Sequence, residues 1–190
     1  MEENVVEEVR KVFIEACKSS RYFKEDYEVH TGVVEKLSLY LAEKFDANKL
    51  IVQLAAILHD IGRIRGNIEN HEKYSAKEAE RILSELKIEK EIIEKVKECI
   101  LRHRHQDPKI PESLEAKILK IADAWSHFKK PLEILGFRIR MTGRIEESIK
   151  WMKNKLKRDL DFLMKIEDLD IKEIINECKK KYESFLVLLD

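Results

Sequence analysis

The chain has 190 residues, with Lys plus Arg and Asp plus Glu both at 37, so its formal net charge is zero. That length supports one domain with a real core and no need of disulfides, and the charge balance excludes a global basic field recruiting nucleic acid, so any anion site must be local. Charged residues make up 39% of the chain while Gly (5) and Pro (3) are scarce, which favours long helices with solvated faces and predicts an all-α fold.

Cys17, Cys99 and Cys178 are isolated, without C-x-x-C spacing, so neither a disulfide framework nor a zinc knuckle is expected, and a reducing, cytoplasmic setting is. The first residues are acidic and no stretch approaches the roughly 20 apolar residues of a membrane span. No membrane partner is expected.

Val5, Val9, Val12, Phe13 and Ala16 mark a first amphipathic helix ending near Ser19 and Ser20. After a charged stretch at 24–26, Val29, Val33, Val34, Leu37 and Leu41 form a second stripe, with His30 beside it. Asp46 is the expected N-cap of a third helix through Leu50, Ile51, Leu54, Ala55 and Leu58, which Gly62 is expected to end in a left-handed conformation. His59 and Asp60 then fall in its last turn.

"RIRGNIENHEKYS" reads as a loop, with a helix from near Ser75 and His71 near its entrance. Residues 88–103 form the next helix, where Ile93, Val96, Ile100 and His103 share a stripe; His105 is expected at the surface. Two prolines break the pattern before a helix over 111–128, with Leu114, Ile118, Ala122 and Trp125 on one face and Asp123 inside it. "LEILGFRIRMTGR" is punctuated by Gly136 and Gly143; a long helix follows through Ile145, Ile149, Met152, Leu156, Leu160 and Leu163, then a last one over about 171–188. The long stripe reads as core-facing, with an oligomer seam as its other reading. No repeat or Gly/Ser linker divides the chain.

The chemistry concentrates at "AAILHDIG". His59 and Asp60 offer two ligand types about 100° apart on a helix, so they converge only near a helix end or between neighbouring helices. His30 and Asp123 are the further candidates, each a polar side chain on or beside an apolar stripe. A buried carboxylate such as Asp123 needs pairing or a metal. An acid near a helix C-terminus is electrostatically unfavourable, so a compensating cation is expected beside Asp60.

His30, His59 and Asp60 in "LHDIG" and Asp123 in "KIADAW", with "HEKYSAKEAERIL" and "CILRHRHQDP" between them, resemble the H...HD...D signature of the HD-domain metal-dependent phosphohydrolase superfamily. The resemblance covers about residues 25–128. It implies an all-α, single-domain helical bundle of the HD-domain type, with an N-terminal packing helix (1–24), a metal-binding core (25–128) and a C-terminal helical extension packed on the core (129–190). It further implies a divalent metal held by His30, His59, Asp60 and Asp123. Two imidazoles and two carboxylates suit Mn, Fe, Co, Ni or Zn better than an all-oxygen Ca or Mg cage, with Mg still admissible.

The implied activity is hydrolysis of a nucleotide or other small phosphate ester. Asp60 is expected also to orient the attacking water and Arg63 to bind the phosphate. His71 and His103 are left open between binding phosphate, acting as general acid and holding a second metal. The alternatives are a two-metal phosphodiesterase or alarmone-type nucleotide hydrolase, and a non-catalytic metal- and nucleotide-binding module. The expected partner is thus a small phosphorylated substrate, with no stable nucleic-acid partner and a homo-oligomer left open. The family pattern calls for no histidine at His127, four residues after Asp123, whose role stays open. Arg138, Arg140 and Arg144 read either as a solvated turn or as an arm reaching the substrate.

Overall fold

The apolar stretch at 50–58 becomes the centre of the molecule. In the computed structural model, which describes residues 2–104 and 109–189, α3 (Lys49–Leu58) buries Ile51, Val52 and every residue from Leu54 to Leu58. It packs against α1 (Glu2–Ser19), α2 (Gly32–Lys44), α5 (His71–Glu85), α6 (Lys90–Arg102) and α7 (Leu114–Ser126). A one-turn α4 (Ile61–Ile64) links α3 to α5, and α8 (Pro131–Thr142), α9 (Ile145–Leu163) and α10 (Lys172–Leu188) complete the chain. Every regular element among the described residues is helical, as the composition predicts.

The α9 stripe places Met152, Leu156 and Leu163 fully inside this chain, where α9 meets α7, α8 and α10, while Ile145 stays exposed. Burial of each such side chain contributes about 1.5–3 kcal/mol. All three cysteines are free and buried. No described helix is long and apolar enough to cross a membrane.

Several local expectations are corrected. Asp46 does not cap the third helix: it turns the chain at φ 56, and Asn48 is the N-cap, its Oδ1 accepting the Ile51 N–H at 3.1 Å. A short polar residue tolerates the left-handed region, so Asp46 serves the turn and frees its neighbour for the cap. Gly62 is not left-handed either; it lies within α4, and the left-handed glycine is Gly66 at φ 96. Gly62 is needed for closeness, since a Cβ there would stand 2.7 Å from the His71 carbonyl oxygen and 2.8 Å from the Ser75 nitrogen.

The helix expected from Ser75 begins at His71, so that "loop" stretch contains the end of α4 and the first turn of α5. Ser75 instead lies buried in that turn, where its Oγ accepts the Gly62 N–H at 2.9 Å and fastens α4 to α5. Residues 131–142, read as punctuated by glycine, form α8; Pro131 suits the start of a helix, Gly136 is tolerated inside it, and Gly143 ends it at φ 68. His105 lies outside the described residues.

Candidate metal centre

Helix ends build the site. His59 caps the C-terminus of α3, Asp60 leads into α4, His71 opens α5, His103 caps the C-terminus of α6, and Asp123 and His127 lie at the end of α7. His30 sits in a π-helical turn, Tyr27–Thr31, ahead of α2; Gly32 reaches back to the Tyr27 carbonyl so closely that a Cβ would meet that oxygen at 2.6 Å. Such widened turns recur where a helix must aim one side chain.

The four residues assigned to a metal come together. His30 Nε2 and His59 Nε2 are 3.3 Å apart, Asp60 Oδ2 lies 3.5 and 3.6 Å from them, and Asp123 Oδ1 lies 3.3 and 3.9 Å from them. Asp60 turns its other oxygen, Oδ1, toward His71 Nε2 at 3.2 Å and His103 Nε2 at 3.9 Å. Those two nitrogens are also 3.3 Å apart. His30, His59, Asp60, His103, Asp123 and His127 are all buried, and His71 partly so.

The far side of each ring fixes its proton. His59, His103 and His71 place Nδ1 on the carbonyl oxygens of Ala56 (2.7 Å), Ile100 (2.5 Å) and Ile68 (3.2 Å), each three residues earlier. A carbonyl only accepts, so Nδ1 carries the hydrogen and the neutral ring presents a lone pair at Nε2. His30 Nδ1 meets Ser126 Oγ at 3.2 Å, and that hydroxyl already donates to the Asp123 carbonyl at 2.7 Å, so it accepts from His30. The close Nε2 pairs are therefore lone pair against lone pair, beside carboxylate oxygens. A cation between them fits this donor set, and a network of hydrogen bonds does not.

Burial pushes the His59 pKa down. Burial, aided by the adjacent His59, brings His103 to about 3, so at neutral pH both rings are unprotonated. Burial opposes ionisation of Asp60, yet the Arg63 guanidinium and the neighbouring imidazoles hold its carboxyl well below the usual carboxylate range. Arg63 is the compensating cation: its Nη2 binds Asp60 Oδ2 at 2.7 Å and Asp26 Oδ1 at 3.0 Å, and its guanidinium lies 4.9 Å over the Phe23 ring. Asp26, fully buried, also accepts the Thr31 hydroxyl at 2.7 Å.

The cluster floors a cavity of about 340 Å³. Its walls also carry Arg104, just past α6, Arg138 from α8, and Trp151, Lys155 and Arg158 from α9, with Phe23, Ile134 and Phe137 as apolar lining. Arg138 stacks on Trp151 at 5.1 Å. Of the arginine group in "GFRIRMTGR", Arg138 lines the cavity; Arg140 and Arg144 are exposed, beside Glu25 at 3.3 Å and Glu147 at 3.0 Å.

Sequence reading passed over Asp26, Ser126 and Asp159. Asp159 had a signal: it falls on the apolar stripe of α9, between Leu156 and Leu160, in the same way that Asp123 interrupts α7.

Together the helical fold and a histidine–aspartate cluster that could hold a metal define a protein of the HD type. Residues 27–126 match the HD domain, more than half of the chain, and the chain belongs to that family. Over its whole length it is similar to an HD-superfamily hydrolase from Bacillus thuringiensis, with TM-score 0.71 and 18% identity, covering 100% of this chain and 95% of that one. It is also similar to YpgQ of Bacillus subtilis, solved in complex with ADP, with TM-score 0.71, 20% identity and coverage of 99% and 93%. A predicted HD-superfamily hydrolase from an uncultured Thermotogales bacterium aligns with TM-score 0.57 and 23% identity over 83% and 88% of the two chains. A search of the curated proteins found no match.

Proposed function

We propose that the chain is a divalent-metal-dependent phosphohydrolase acting on a nucleotide or other small phosphate ester. One observation carries the reading: unprotonated Nε2 atoms and two carboxylates converge in a cavity whose lining also holds several arginines and a lysine. His30, His59, Asp60 and Asp123 would hold the ion, and the imidazole share of the set favours Mn, Fe, Co, Ni or Zn over Mg. Such an ion supplies Lewis acidity toward a phosphoryl oxygen and makes water acidic enough to ionise near neutral pH.

The chain's own residues do the rest. Asp60 is kept ionised by Arg63, which is itself fixed by Asp26, so the carboxylate stays an anionic hydrogen-bond acceptor able to orient a water. Arg63, which lines the cavity, contacts the phosphate, and Arg104, Arg138, Lys155 and Arg158 add to the neutralisation of its charge. Phe23, Ile134 and Phe137 exclude water beside the reacting group. The ADP held by the Bacillus subtilis structure of the same fold is the support for a nucleotide.

A second reading rests on Asp60. Its Oδ1 faces His71 and His103 while its Oδ2 faces His30 and His59, the placement of a carboxylate shared between two ions, as in two-metal phosphodiesterases and nucleotide hydrolases. Metal analysis of the purified chain separates the two: one ion per chain leaves His71 and His103 for phosphate binding or proton transfer, and two assigns them as ligands.

The activity is tested by a phosphate-release screen over nucleotides and phosphate esters with each candidate metal. Turnover that a chelator abolishes and Mn or Co restores is expected, together with loss in Asp60→Ala. Tight binding of a nucleotide without turnover under any metal would replace the enzyme reading by a binding module.

A further inference from the structure

His127 stands outside the four residues of the HD signature, yet it is aimed at the same point. Its Nε2 is 3.3 Å from Asp123 Oδ1, the distance at which His30 Nε2 approaches that same oxygen. The His127 and His30 rings stack 5.1 Å apart with planes 10° from parallel, so both edges face the carboxylate side by side. His30, Asp123 and His127 form a three-donor group compact enough to hold an ion.

What lies behind His127 separates it from the other rings. Its Nδ1 donates to Asp159 Oδ2 at 2.9 Å, whereas His59, His71 and His103 donate to backbone carbonyls and His30 to a hydroxyl. Asp159 is fully buried in α9, with Lys155 Nζ and Arg158 Nη2 each 3.6 Å from it. A carboxylate behind an imidazole fixes the tautomer and raises the ring's basicity at the opposite nitrogen. Asp159 lies well beyond the residues that match the HD domain.

We infer that His127 is an additional protein ligand to the divalent ion, presented through Nε2 and held by Asp159 of α9, so that the C-terminal helices complete the metal centre. The inference rests on the reading of His30, His59, Asp60 and Asp123 as a metal site. An imidazolium lodged between Asp123 and Asp159 would use the same contacts without coordinating anything, and that is the alternative to be separated.

The test uses the full chain, Co(II) as the probe, its visible absorption band and its dissociation constant from competition with a chromophoric chelator. His127→Asn keeps an N–H for Asp159 and lacks the ligand nitrogen; Asp159→Asn keeps the ring and removes the carboxylate. Circular dichroism and thermal melts of the metal-free proteins establish that each variant folds. We expect His127→Asn to weaken Co(II) by at least about tenfold with an altered absorption band, and Asp159→Asn to weaken it about 10-fold or more with a smaller spectral change. An unchanged constant and band in His127→Asn overturns the inference while leaving the four-residue site intact. Failure of the unsubstituted chain to bind Co(II) stoichiometrically overturns the metal-site reading itself.

Discussion

The two walls of the cavity are built on opposite plans. The floor is made of mostly buried side chains at helix ends, each ring held from behind by a hydrogen bond and each carboxylate ringed by partners. The cationic wall is made of partly exposed side chains along α8 and α9, with Arg138 lying on Trp151 and with Lys155 and Arg158 beside Asp159. The first is buried and tied from behind, and the second is partly exposed and supplies positive charge. On the proposed reading this divides labour: the floor carries the reaction and the wall carries recognition.

The sharpest way to break that division is at the floor. Asp123→Ala is expected to lower phosphate release by about 10³-fold, the range for removing a group that stabilises the reacting centre, measured as kcat/KM at saturating metal. Full activity in this variant would remove the floor from the chemistry.

Two glycines sharpen the comparison at the level of packing. Gly62→Ala places a methyl against the α5 backbone and is expected to cost about 1–3 kcal/mol in denaturant unfolding, as overpacking does. Gly136→Ala in α8 meets nothing within 4 Å and is expected to stabilise by about 0.5–1 kcal/mol through helix propensity. Equal effects would show the two regions to be packed alike. Smallest of all, Arg138→Gln or Arg158→Gln should raise KM about fivefold with kcat nearly unchanged, since a half-exposed ion pair is worth roughly 1 kcal/mol. That effect should fade as added salt screens the charge.

The all-helical class and the core helices were readable because apolar residues recur at helical spacing, and Asp123 was readable because it breaks such a stripe. α8 was missed for the converse reason: two glycines and three arginines gave it the look of a turn, while its actual support comes from burying Ile134, Leu135 and Phe137. The start of α5 was hidden by a first turn of His71, Glu72, Lys73 and Tyr74, which carries no apolar period; it is defined by Ser75 fastening to Gly62, a tertiary contact. Arg63 was singled out for phosphate and a cation was expected beside Asp60, three residues away, but the tie of Arg63 to Asp26 was invisible because it depends on how α4 meets the segment before α2. Asp159 carried a local signal as clear as that of Asp123, but without its partner His127 in view the signal had no destination.

The i−3 carbonyls behind His59, His71 and His103 have a genetic consequence. Their acceptors belong to the main chain at Ala56, Ile68 and Ile100, so no substitution at those positions deletes them, and the ring orientation at these sites is insulated from point mutation in the residues that set it. His127 depends instead on a side chain, and a single amino-acid change at Asp159 is enough to release it. One half of the histidine cluster is thus mutationally protected, and the other is the half through which selection or design can adjust it.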